Sequence, residues 1–89
     1  RFGTPRPNPF NPRVILPLEL SVEGFVRVDV HSISGRRVRR LLARRLEPGT
    51  HHLLWDGRND AGHPLPSGSY IARLGSTETE AHTMLILLK

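Results

Sequence analysis

Eighty-nine residues without a cysteine make a single small domain, which must hold its core without disulfides and can have neither thiolate chemistry nor a Cys-based metal site. The net charge of +5 rests on 13 basic residues, of which only Lys89 is lysine; it permits contact with nucleic acid, anionic lipid or anionic polysaccharide and selects none of them. No apolar run approaches the roughly 18–20 residues that cross a bilayer as a helix, and the Pro-rich start lacks the layout of a signal peptide. Because the chain starts at Arg1 rather than Met, it reads as a piece of a longer protein, with any export signal upstream.

Residues 1–13, RFGTPRPNPFNPR, hold four of the eight prolines and read as a linker leading into a domain at 14–89, with Phe10 capping one end of its core. Val14, Leu16, Leu18 and Leu20 then share one face of an extended run. Pro17 within that run demotes it to an edge strand or a bulge. Glu23-Gly24 turns the chain, and Phe25–His31 alternates cleanly, with Val26, Val28 and Val30 inward and Arg27 and Asp29 outward. Ser32–Gly35 reads as a hairpin loop with Gly35 in the left-handed position.

Residues 36–46, RRVRRLLARRL, are ambiguous. Val38, Leu41, Leu42 and Leu46 have amphipathic-helix spacing, and the arginines cover the rest of the wheel. A strand with a bulge between Val38 and Leu41 buries the same residues. Gly35 and Pro48-Gly49 bracket the segment tightly, leaving about three helical turns, which are marginal without tertiary support. Periodicity leaves both readings open.

From Thr50 to Leu74 the chain reads strand, turn, link, strand. His51, Leu53 and Trp55 share one parity; Asp56-Gly57 and Asn59–Gly62 supply turn chemistry; Ser67-Gly68 precedes Tyr70, Ala72 and Leu74, again spaced by two. Gly75–Ala81 is a polar hairpin, and Thr83–Lys89 is a final strand whose consecutive Leu85–Leu88 suggest burial on both faces or pairing with another partner. The sum of these runs, about seven with turn signals every 8–12 residues or so, is an all-β antiparallel β-sandwich.

No catalytic constellation stands out. Five histidines invite a metal, but adjacent His51 and His52 point to opposite faces of a strand. Asp56, Asn59 and Asp60 suggest a calcium loop only loosely, since Arg58 and Ser67 occupy its third and twelfth positions. Trp55 and Tyr70 are in phase with apolar neighbours and read as core rather than as a sugar-stacking platform. Ser67 and Ser69 make no nucleophile elbow. Neither cofactor nor metal is expected.

Five motifs in order carry a resemblance: Pro7-Asn8-Pro9-Phe10-Asn11-Pro12, Gly35 with the arginines after it, Pro48-Gly49-Thr50-His51, Trp55-Asp56-Gly57, and Ser67-Gly68-Ser69-Tyr70. With them the chain resembles the C-terminal sorting domains of proteins exported by type IX secretion, which are similar in turn to the immunoglobulin-like domain of the flagellar hook-capping protein FlgD. The resemblance implies an all-β, immunoglobulin-like antiparallel β-sandwich of about seven strands that is a non-enzymatic address at the end of an exported protein, displayed at the cell surface or outside it. Its partners would be the outer-membrane secretion machinery and catalytic or adhesive domains upstream in the same chain. It assigns recognition to the last strand (Thr83, Met84, Leu85, Ile86, Leu87, Leu88, Lys89) and fold maintenance to Trp55, Asp56, Gly57, Gly62, Gly68 and Tyr70. The resemblance decides for a strand at residues 36–46. The chain departs from the family pattern at Ala43-Arg44, often a Gly-containing turn, and at His82-Thr83, often basic. Arg36, Arg37, Arg39, Arg40, Arg44 and Arg45 are the expected contact for anionic surface polysaccharide; nucleic acid is not expected. The alternative is a carbohydrate-binding or spacer module of a secreted hydrolase.

Overall fold

The computed structural model describes residues 1–11, 13–76 and 80–88. Six strands, β1 (Val14–Leu20), β2 (Gly24–Ser32), β3 (Arg37–Leu46), β4 (Gly49–Trp55), β5 (Gly68–Ser76) and β6 (Glu80–Leu87), form two antiparallel sheets, β1-β4 and β3-β2-β5-β6. About seven strands were expected; the count among the described residues is six.

Alternation in the sequence becomes the core. Val14, Leu16 and Trp55 from the small sheet meet Val30, Tyr70, Ala72, Leu85 and Leu87 from the large one. Leu18 and Leu20 meet Val26, Val28, Leu42, Leu46 and Leu74. Each buried Leu or Val contributes about 1.5–3 kcal/mol, so the two sheets are held chiefly by their facing surfaces. Trp55 lies at the meeting point, 5.4 Å from the Phe10 ring and 5.5 Å from the Tyr70 ring in an edge-on contact. Its indole N–H donates to the Arg58 carbonyl at 3.0 Å, and the Tyr70 hydroxyl donates to the Pro66 carbonyl at 2.6 Å. Neither buried ring leaves a polar atom unmatched.

The ambiguous segment is a strand. The β2–β3 register slips between Val28 and Asp29 and again between Val30 and His31, so Leu41 and Val38 are the unpaired residues on β3. Each bulge shifts the side-chain alternation by one. The resulting spacing of three and four between apolar residues imitates a helix, although the chain is extended.

The Pro-rich segment ahead of β1 lies along the domain. Glu19 N–H donates to the Arg1 carbonyl, Gly3 N–H to Pro17, Arg6 N–H to Ile15 and Ile15 N–H to Arg6, at 2.8–3.0 Å. Pro17 has no N–H, and the gap falls on this side of β1 rather than in the β1–β4 ladder. Gly3 is required here because a Cβ would come within 2.9 Å of the Pro17 Cβ. The segment then crosses to β6. Asn8 imitates a strand residue with its amide: Nδ2 donates to the Met84 carbonyl (3.0 Å) and Oδ1 accepts from Ile86 N–H (2.9 Å). Phe10 continues with its backbone, donating to Ile86 and accepting from Leu88 at 2.8 and 2.9 Å, while its ring enters the core.

The last strand does not bury both faces, as its apolar run suggested. Leu85 and Leu87 are inside, whereas Met84 and Leu88 are each about half exposed, at 52% and 51%. It is an edge strand with one core face, and its outer edge is taken by Asn8 and Phe10.

Two outcomes follow. Asn8→Ala strands the Ile86 N–H and the Met84 carbonyl at a wet edge, costing about 1 kcal/mol; amide exchange at Ile86 accelerates while the central strands keep their protection. Burial raises the Tyr70 phenol pKa above its ordinary value. The folded state therefore holds the proton more tightly than the unfolded chain. The stability this supplies is intact below the unfolded-state pKa near 10 and is lost as pH rises through the higher folded value. Tyr70→Phe should flatten the alkaline fall in urea midpoint; an unchanged alkaline limb would contradict the assignment.

Candidate functional site

The link between β4 and β5 is built from the turn residues that the sequence displays. Asp56 Oδ1 accepts from Arg58 N–H at 3.1 Å and from the Arg39 guanidinium at 3.2 Å. Gly57 sits at φ 75°, a conformation that side chains resist. Asn59 Oδ1 accepts from the N–H groups of Ala61 and His63, both at 3.0 Å, and the Arg58 guanidinium donates to the Gly62 carbonyl. Asp60 reaches β3, its carboxylate accepting from Arg40 N–H (2.9 Å) and its own N–H donating to the Val38 carbonyl (3.0 Å). The oxygens that suggested a calcium loop thus serve as turn and edge acceptors. Gly35 sits at φ 91° at the tip of the β2–β3 hairpin, and Gly68 opens β5.

The histidines are scattered apart from His31 and His82, which line one groove. His51 Nε2 donates to the Glu47 carbonyl at 2.8 Å, His52 is exposed, and His31 and His82 lie on the large sheet. Among the described residues no three metal-ligating side chains come together.

Nor do the arginines at 36–45 make one surface. Arg39 turns to Asp56 and the Arg58 carbonyl, Arg40 pairs with the nearly buried Asp29 carboxylate at 3.0 Å, and Arg45 pairs with Glu23 at 3.0 Å. Arg44 is in register with Val26, an inward position, whereas Arg37 opposes His31 on the outer face and Arg36 lies in the turn. The two bulges cause this scatter by re-aiming the side chains between successive arginines. Exposed ion pairs such as Arg45–Glu23 contribute little, about 0–1 kcal/mol, but they tie up these guanidinium groups.

The large sheet instead gathers residues that are far apart in sequence. On its outer face the register opposes Arg27 to Gly75, Asp29 to Arg73, Arg73 to His82 and Ile71 to Met84. Arg27, Asp29, His31, Arg73, Gly75, Glu80 and His82 line one groove of about 570 Å³. The sequence marked Arg27 and Asp29 as outward, but only the pairing places Arg73 and His82 beside them.

Next to that groove runs the expected recognition strand. Met84, Ile86 and Leu88 share one parity and face outward, Thr83 is partly buried, and Leu85 and Leu87 belong to the core. Pro7, Pro9 and Asn11 are exposed around the Asn8–Phe10 clamp on this strand. Pro12 and Lys89, also named from the sequence, lie outside the described residues.

No curated protein matches the chain. The FlgD Ig-like domain family matches residues 19–80, from the end of β1 to the first residue of β6. The match takes in both bulges of β3, Trp55 and its turn, and Tyr70; the clamp at Asn8 and Phe10 and the outward row on β6 lie beyond it. With more than half its length matched and an all-β fold of two antiparallel sheets, the chain belongs to the FlgD Ig-like domain family.

Proposed function

We propose that this domain is a non-enzymatic sorting and surface-attachment module of a protein exported by type IX secretion, read by the outer-membrane machinery through its last strand. The observation that carries the reading is the outward apolar row Met84, Ile86 and Leu88, fixed along its edge by Asn8 and Phe10 of the motif that resembles the family's. An exposed apolar row is a common feature of protein interaction sites.

The occupied edge also shapes the mechanism. Ile86 and Leu88 already bond to Asn8 and Phe10, so a partner cannot add a strand along that stretch without displacing them. Recognition therefore runs through the side chains of Met84, Ile86 and Leu88 on the folded domain. The domain then serves the catalytic or adhesive part of the same protein at the cell surface or beyond it. The other expectation, a module that stacks sugars on Trp55 or Tyr70, loses its platform because both rings are buried.

Deleting the whole last strand would also remove Leu85 and Leu87 and with them the core. The cleaner variant is Met84→Lys with Leu88→Lys. Residues 1–89 fused behind an exported fluorescent reporter should appear outside a type IX host only when its translocon works. The double variant should remain in the periplasm with unchanged circular dichroism. Release that ignores the translocon, or a double variant exported like the parent, would sink the assignment.

A further inference from the structure

The outer face of the large sheet carries arginines that make no ion pair among the described residues. Arg40 is matched by Asp29 across the β2–β3 register, but Arg27 and Arg73 have no ion-pair partner among the described residues. They are diagonal neighbours on adjacent central strands, Arg27 opposing Gly75 and Arg73 opposing Asp29. Between them Gly75 leaves the floor open, since a Cβ there would meet nothing within 4 Å. Glu80 lines the same groove as an exposed hydrogen-bond acceptor, beside His31 and His82, whereas Asp29 is nearly buried and bonded to Arg40. A second, adjoining depression of about 300 Å³ shares Arg27 and Gly75 and adds Phe25, an aromatic ring 43% exposed beside those arginines.

We infer that this double groove binds an acidic sugar unit of an anionic polysaccharide, with its carboxylate on Arg27 and Arg73, a hydroxyl on Glu80, and a ring face on Phe25. The mixture of groups selects the ligand. Two guanidiniums match a carboxylate through charge-assisted, bidentate bonds. Glu80 accepts from sugar hydroxyls, donors that a polyphosphate does not offer. A flat aromatic beside them takes the apolar face of a pyranose. An acidic peptide gains less, because β2 and β5 are central strands whose backbone groups are engaged in ladders on both sides. The groove's size falls in the ordinary range for small-ligand sites.

The proposal rests on the surface-attachment half of the function above for the source of its ligand. Its binding can nevertheless be measured on the isolated 89-residue chain. Calorimetric titration at low salt would use tetragalacturonate, its methyl ester, inorganic phosphate and tetraglutamate as probes. The expected result is saturable binding of the acid, weakened about tenfold or more by Arg27→Gln, Arg73→Gln or Phe25→Ala. Gly75→Val, which blocks the floor without changing charge, should have the same effect. Arg36→Gln and Arg44→Gln, which lie off the groove, should bind like the parent. No binding by the parent, equal binding of the ester, or equal loss in the off-groove variants overturns the site. Phosphate or tetraglutamate competing as well as the sugar overturns its specificity. The export assay separates the two proposals: lost uronate binding with intact export removes the groove alone, and lost export with intact binding removes the sorting role alone.

Discussion

Burial of Trp55 is the constraint on which the rest depends. It ends β4 in the small sheet, yet its ring rests against Tyr70 of the large sheet and Phe10 of the leading segment. In so small a domain, one aromatic that joins three parts of the chain supplies a large share of the cohesion between layers. Its N–H requires an acceptor inside the structure, and the Arg58 carbonyl fills that role only because Asp56-Gly57 folds the chain back at once. The tight turn after Trp55 is thus part of the tryptophan's own burial.

The second theme is edges. A two-stranded and a four-stranded sheet facing each other leave four exposed edges, each a template for unwanted pairing. The leading segment covers one edge on each sheet, lying on β1 up to Arg6 and on β6 at Asn8 and Phe10. On the other side, Asp60 covers part of β3, whose arginines and bulges discourage further pairing along its length. The arginine run then has a structural meaning before any binding one: charge and irregularity keep a ten-residue edge strand from recruiting another chain.

These covers determine which surfaces are free to work. With the β6 edge occupied, the outward row Met84, Ile86 and Leu88 is what the last strand offers a protein partner, and the cationic groove lies beside it on the same sheet face. Both surfaces exist because β6 pairs with β5 rather than standing alone. The family match covers the strands that support this face but stops where β6 begins. The fold is therefore shared with the family, while the surfaces proposed to act lie partly beyond the matched residues.

The sequence by itself determined the strands at Val14–Leu20, Phe25–His31 and Tyr70–Leu74, the buried parity of each, the turns at Gly35 and Asp56–Gly62, and the core role of Trp55 and Tyr70. All of these are local, since a period of two and the backbone preferences of Gly, Asn and Asp need no partner to be read. Tertiary structure decided the remainder. Helix-like spacing at 36–46 became a strand because two bulges, visible only against β2, each add a residue to the count. The run Leu85–Leu88 split into core and surface because pairing with β5 on one side and Asn8 on the other fixed which face turns inward. The same bulges divided the arginine run between the two faces of the sheet, and on the outer one Arg37, Arg40 and Arg45 joined Arg27, Arg73 and His82. Register alone makes those residues neighbours, and register is a relation between strands that no single strand contains.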